Sequence, residues 1–297
     1  SASYGSLAEA AADPGLLVAP AAPKPASRHT LVGRPVNRID ARAMVTGRQE
    51  YTLDLDVPGA KPCVLRRPPT LGGTVRSVAN AAAVRAMPGV LHVVTVPTGV
   101  AVVAETFGQA IDARAALDVT WGPGPADALS DANIRTRLRS AAPPPLVPPL
   151  LTPYIDADFD FAFVSHAPME TNSAVADVRA DRAEIWSGLK SPIVAQQTIA
   201  AALGLPVDKV TVHVVQAGGS FGRRLFFDAA LEAALVSKAC GRPVRLMWTR
   251  VDDTRHGRMR PASHHRIRAT YALGQVLTFE HRVAAAETDF RTASARS

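Results

Sequence analysis

Apolar residues along the chain fall into short runs punctuated by glycine and proline. "LHVVTVP" and "VAVVAETF" are continuous enough in valine to predict strands, "GQAIDARAAL" predicts a short helix, and "DVTW" predicts another strand. Farther on, "NSAVADVRA" and "RAEIWSG" predict a hairpin turning around Asp181. The segment "SPIVAQQTIAAALGL" is a well-marked helix, with Ser191 at the N-cap, Pro192 at the first helical position and Gly204 near the end. "KVTVHVVQ" predicts a strand, "RLFFDAALEAALVSKAC" a helix ending at Gly241, and "PVRLMWT" a strand. "HRIRATYAL" and "VLTFEHRVAAA" predict a pair joined across Gly274 and Gln275.

Proline divides this pattern. "ADPGLLVAPAAPKPASRH" makes residues 1–30 an extended lead-in, and "RSAAPPPLVPPLLTPY" makes 139–155 a linker, because repeated proline removes donors and forbids helix. Residues 31–138 then form a small mixed unit and 156–297 a larger one, an α+β fold overall with no internal repeat.

Composition narrows the class. At 297 residues and 47% hydrophobic, the chain can bury a sizeable core and is long enough for two domains. Cys63 and Cys240 belong to no clustered spacing, which excludes a disulfide framework, a zinc ribbon and an iron-sulfur cluster and leaves two buried thiols. The formal charge of +7 fits nucleic acid, an anionic ligand or an acidic partner. No apolar run approaches the roughly 18 residues that cross a bilayer, and no secretory signal opens the chain. A start at "SASYGSLAEAAADPG", without methionine, reads as a processed product or part of something longer.

The chemistry concentrates in "VTVHVVQAGGSFGRRLFFDAALEAAL". A glycine turn between a strand's carboxyl end and a helix exposes backbone N–H groups and the positive end of a helix dipole, which suits an anion or a metal-bound oxygen. Glycines let a ligand approach the backbone, and Arg223 and Arg224 add positive charge. "GGSFGRR" lacks the GxGxxG spacing of dinucleotide folds and the Lys-Ser/Thr of a phosphate-binding loop. On local sequence alone, a turn that merely packs a helix on a sheet is as good a reading.

Several ordered blocks alter that balance. "HAPMETNSAVADVRADRAEIWSG", "SPIVAQQTIAAALGLPVDKVTVHVVQAGGSFGRRL", "DAALEAALVSKACGRPVRLMWTRVDD" and "RHGRMRP" resemble the molybdopterin-binding large subunit of molybdenum hydroxylases, the xanthine oxidase and aldehyde oxidase family. The branch they are most similar to is the isoquinoline 1-oxidoreductase type, with its bacterial periplasmic aldehyde dehydrogenases. Upstream, "LVGRPVNRIDARAMVTGRQEYTLDLDVPGAKPCVLRRPPTLGGTVRSV" and "VLHVVTVPTGVAVVAETFGQAIDARAALDVTW" resemble that family's a/b hammerhead domain. The resemblance implies a hammerhead-like domain over 31–138, followed by the first part of a molybdopterin-binding α/β domain over 156–297. It also implies a molybdenum pyranopterin of the molybdopterin cytosine dinucleotide type and hydroxylation of an aldehyde or N-heterocycle with oxygen from water. The implied partners are the remaining half of the large subunit, a subunit carrying 2Fe-2S clusters, a cytochrome c acceptor and a small-molecule substrate, and the implied compartment is the periplasm, with the cytoplasm as alternative. Gly218, Gly219, Ser220, Phe221 and Gly222, with Arg223 following, match the family's glycine loop beside the cofactor.

Two departures matter. Lys190 stands where the family usually has a glutamine close to the metal, which makes it a catalytic candidate with altered electrostatics. The family's catalytic glutamate and much of its cofactor cage lie in a C-terminal half that has no counterpart here. The chain is then a fragment, one piece of a split or processed subunit, or a degenerate relative serving as a non-catalytic scaffold. Other groups carry less. His256, His264 and His265 lack metal-ligand spacing and read as a basic loop. His166 with Glu170 makes an acid-base pair or, more simply, a cavity lining, while Trp186, Trp248 and Phe221 read as core or pocket wall. The segment from Arg242 to Arg268 and "RRPPTLGGTVR" are basic but carry no nucleic-acid signature, so nucleic-acid binding ranks below the oxidoreductase reading.

Overall fold

Valine- and alanine-rich runs form most of the frame. The structure, a computed structural model, describes residues 2–15, 20, 22–146 and 152–286. Contacts divide the chain into residues 1–49 and 50–297. In the first unit a 3-10 turn, Gly5–Leu7, runs into α1 (Ala8–Ala11), and a second turn, Ala26–Arg28, precedes α2 (Ala41–Val45). The lead-in expected to be extended over 1–30 therefore contains helical turns where alanine outnumbers proline. Residues 16–19 and 21 of that expectation lie outside the described residues.

The second unit begins with β1 (Lys61–Arg66), β2 (Thr74–Val78), α3 (Ala81–Arg85), β3 (Val90–Val96) and β4 (Gly99–Ala104). It continues through α4 (Phe107–Ala116), β5 (Val119–Gly122), α5 (Asp131–Ala141), β6 (Tyr154–Phe161), β7 (Ser173–Val178) and β8 (Ala183–Ser187). α6 (Pro192–Leu203), β9 (Val210–Val214), α7 (Asp228–Cys240), β10 (Val244–Met247), α8 (Arg250–Arg255), β11 (Ser263–Ala272) and β12 (Gln275–Ala285) complete it. One seven-stranded sheet has the order β3-β4-β1-β10-β7-β8-β9, parallel between β1 and β10 and between β8 and β9 and antiparallel elsewhere. It takes strands from both sides of the proline-rich segment 139–155. Residues 147–151 of that segment lie outside the described residues, while α5 reaches Ala141 at one end and β6 starts at Tyr154 at the other.

Helices cover both faces of this sheet, so its strands read as apolar runs. On one face α6 and α7 bury Ala195, Ile199, Ala230, Ala233 and Ala234 against Leu65, Ala176, Ile185 and Leu246. On the other, α3 and α4 pack Val84, Ala110 and Ala113 on Val64, Val100 and Val102. All six residues of β4 are buried. Thr106 caps α4 by accepting from the Gln109 amide. Pro192 opens α6 and Gly204, at φ 70°, closes it as the sequence predicts, but the Ser191 side chain does not cap. Its hydroxyl donates to the Leu225 carbonyl at 2.5 Å. The β11–β12 hairpin turns on Leu273 and Gly274, both at positive φ, one residue earlier than the predicted Gly274–Gln275.

Candidate functional site

β8 and β9 run parallel, so Ser187 and Val214 end at the same edge of the sheet, and the chain after β9 turns there through Gly218–Gly222. Gly219 (φ 102°), Phe221 (φ 53°) and Gly222 (φ 102°) all have positive φ, the last two in succession. A turn that mixes left- and right-handed residues in this way can leave successive N–H groups free for an anion, as in the arrangement known as a nest. The Gly218 amide is used internally, donating to Glu170 Oε2 at 2.8 Å, and the Gly219 amide donates to the Ala217 carbonyl at 2.8 Å. Past the bend, the Arg223 amide donates to the Ser220 carbonyl and the Arg224 amide to Ser220 Oγ. The amides of Ser220, Phe221 and Gly222 have no acceptor among the described residues.

Glu170 anchors this turn. Its carboxylate takes the Gly218 amide, the Ser173 hydroxyl at 3.1 Å and Arg224 Nη2 at 3.2 Å, while its own amide donates to the Gly218 carbonyl at 3.0 Å. A Cβ on Gly218 would stand 2.7 Å from Glu170 Cβ, so the close approach requires glycine. Glu170 is therefore a brace for the loop and forms no acid-base pair with His166. The His166 Nδ1 faces the Arg258 carbonyl at 3.2 Å, and its Nε2 lies beside Gly222, where an added Cβ would be 3.3 Å away. Burial, and then Arg260, lower the His166 pKa, which keeps the ring neutral at neutral pH.

The two arginines expected to charge the turn point inward. Arg223 is 1% exposed, pairs with Asp228 at 2.7 Å and Asp253 at 3.8 Å, and offers its guanidinium to the Asn172 side-chain oxygen. Arg224 is also buried, donating to the Glu170 and Thr171 carbonyls. These pairs draw residues 223–225 into a 3-10 turn, and α7 starts only at Asp228. The predicted helix thus begins later than "RLFF", and five residues separate its dipole from the glycine turn. The concave side gains its electropositive character from amides, not from the helix or the arginines.

Beneath lies a buried ionic network absent from the sequence reading. Arg67 grips Glu232 with Nη1–Oε1 at 2.5 Å and Nη2–Oε2 at 2.7 Å, and the same carboxylate accepts from Trp248 Nε1 at 2.7 Å. Trp248 lies under the Arg67 guanidinium at 4.0 Å and within 5.4 Å of that of Arg223. Asp252 takes Arg114 at 3.1 Å and approaches Arg67 at 3.6 Å. A cavity of about 400 Å³ opens beside this network, lined by Arg66, Arg67, Arg114, Trp121, Arg255 and His256. A signal for it existed: Glu232 interrupts the alanines of "AALEAAL" on the buried side of α7.

The remaining candidates are dispersed. Lys190 is exposed and borders the turn, its amide donating to the Arg224 carbonyl at 2.8 Å. Phe221, expected in core or pocket wall, is 66% exposed at the tip of the turn. Trp248 is buried and Trp186 stacks on His213 at 5.0 Å. Cys63 is fully buried, which raises its pKa well above the ordinary thiol value, and Cys240 is half-buried. His256 ends α8, whereas His264 and His265 occupy opposite faces of β11 and so belong to a strand instead of a loop. Among the described residues no cluster of three His, Cys, Asp or Glu is placed to hold a metal.

The molybdopterin cofactor-binding domain family matches residues 152–291. The chain is 34% identical over 284 residues to the isoquinoline 1-oxidoreductase subunit beta of Brevundimonas diminuta, covering 87% of this chain and 36% of that protein. It is 30% identical over 285 residues to a protein of Gluconacetobacter polyoxogenes named membrane-bound aldehyde dehydrogenase (pyrroloquinoline-quinone), covering 88% and 37%. Its fold matches quinoline 2-oxidoreductase from Pseudomonas putida 86 with a TM-score of 0.63 at 20% identity, over 83% of this chain and 38% of that one. The chain thus spans little more than a third of the length of these proteins.

Proposed function

Since the chain belongs to the molybdenum hydroxylase large-subunit family, we propose that it builds one wall of the molybdenum site of an oxidoreductase that acts on an aldehyde or an N-heterocycle. The observation that carries this reading is the turn at Ser220–Gly222: three consecutive amides without an acceptor among the described residues, on a turn kept open by glycine. The residues present fit the group. An oxygen or phosphate-like edge of a pyranopterin can meet the Ser220, Phe221 and Gly222 amides directly, and the Cβ-free Gly222 leaves room for it beside His166.

When bound, the molybdenum cofactor supplies a two-electron redox centre for hydroxylation with oxygen from water. The chain's own contribution is preorganisation. Glu170 and Arg224 fix the base of the turn, so its amide dipoles need not reorganise as negative charge develops opposite them. His166, held neutral, places an uncharged ring against Gly222, and Lys190 brings a cation to the rim. The cytosine dinucleotide form of the cofactor, the 2Fe-2S partner, a cytochrome c acceptor and a periplasmic setting belong to this proposal as the family's usual accompaniments. So does the division into a hammerhead-like part over 31–138 and a cofactor-binding part from 156. No helix among the described residues is long and apolar enough to cross a membrane.

One feature favours the scaffold alternative: Lys190, a compact strongly hydrated cation where the family usually places a neutral amide. A turnover assay of the natively purified assembly separates the two. With an aromatic aldehyde or an N-heterocycle, a dye acceptor and ¹⁸O-labelled water, the oxidoreductase reading expects label in the product. Absence of product across both substrate classes from a molybdenum-loaded preparation favours the scaffold.

A further inference from the structure

The three-stranded sheet β12-β11-β6 sorts its side chains into a charged face and an apolar one. Its register puts Asp156, Asp158 and Asp160 of β6 opposite Arg268, Arg266 and His264 of β11, and Glu280 and Arg282 of β12 continue the same face. This charged face is internally paired, with Arg268–Asp156 at 2.5 Å and His264–Asp160 at 2.9 Å, and α5 lies on it through an Arg139–Asp160 ion pair. The other face carries Ile155, Phe159, Phe161, Ile267, Phe279 and Val283, with His265 and His281 paired to each other among them. Phe279 is 65% exposed, Phe161 56%, Ile155 54% and Val283 49%. Strand alternation normally gives the apolar side to the core and the charged side to water. Here the charged face meets α5 at Asp160 and Arg266, and the aromatic side has no cover among the described residues.

We propose that this aromatic face is the seat of the remainder of the large subunit, the two-thirds of the relatives' length that this chain does not span. The inference rests on the family reading above. Three observations select that occupant. The matched relatives and the solved structure are each more than twice as long as the segment they share with this chain. The face is aromatic across all three strands, Phe161 packing on His265 and Phe279 on His281, and larger than scattered surface apolar residues explain. It also leads straight to the glycine turn: past β6, Phe163 and Val164 are exposed, Val164 bridges to Arg260, and Arg260 Nη2 donates to the Phe221 carbonyl at 2.9 Å. A body packed on the sheet therefore borders the nest, and burying these side chains brings the two halves of the cofactor site together.

The test is thiol accessibility at Val283→Cys, measured on the chain of residues 1–297 and on the natively purified assembly. Cys63 is buried and Cys240 half-buried, so the unsubstituted protein supplies the background labelling. The introduced thiol should react freely in the chain alone and be slowed by roughly tenfold or more in the assembly, because labelling then waits on opening. Phe159→Cys, in the same row of the sheet on β6, should give the same result if Val283→Cys fails to fold. Equal rates in the two preparations would overturn the proposal, as would protection already present in the chain alone with a dimeric mass by light scattering, which would assign the face to a second copy. Protection is read whether or not molybdenum is present, so its loss and the failure of the oxidoreductase reading register separately.

Discussion

At Gly222 one missing methyl group separates two outcomes. With φ at 102° and His166 Nε2 3.3 Å from where a Cβ would stand, Gly222→Val strains the backbone by about 1–2 kcal/mol and fills the mouth of the nest. The variant should keep its fold and lose molybdenum, read by metal analysis alongside a urea melt; full metal content would refute the cradle. Glu232 works differently, as a carboxylate that Arg67 grips twice and that also accepts from Trp248. Glu232→Ala leaves a guanidinium buried without its main partner and should destabilise by about 3–5 kcal/mol in equilibrium unfolding. Lys190→Gln, at an exposed rim position, should leave stability unchanged and preserve or raise turnover of the loaded assembly. Complete loss of turnover would make the lysine a specialised group.

Element by element, the chain is legible where one principle acts alone. The cap signals of α6, the hairpin at Asp181 and the valine runs of β3 and β4 follow from local propensity and period. The start of α7 does not, because its first turn is set by Arg223 and Arg224 reaching carboxylates at distant sequence positions, Asp253 and Glu170. For the same reason Glu170 could be named but not placed: its role as brace depends on a loop 48 residues away. β6 hides as well, since "YIDADFDF" alternates normally but gives Asp160 to α5 and its other carboxylates to β11. That charged contact carries a pH dependence. The Arg139 hydrogen bond holds the Asp160 carboxyl at about 2, with His264 adding to it against a desolvation cost. A folded value below the ordinary carboxylate value of about 4 means its stabilisation is complete above that pH and is lost as the pH falls from about 4 through about 2. Hydrogen exchange should show α5 loosening across that window, and Asp160→Asn should remove the acid step.

At the scale of the molecule, the mixed sheet with helices on both faces holds the glycine turn at one edge, and the turn itself is a set of amides waiting for an acceptor. Sequence blocks pointed to that edge through resemblance, while the unpaired amides, the inward arginines and the uncovered aromatic face became visible only with the fold. The central claim is that these amides hold the molybdenum cofactor of a hydroxylase. The measurement that tests it most directly is molybdenum per chain, by plasma mass spectrometry, on the assembly purified natively with its partners. Close to one atom per chain is expected in the unsubstituted protein. No molybdenum, from cells in which a control hydroxylase is loaded, would contradict it and leave the turn as a structural connector.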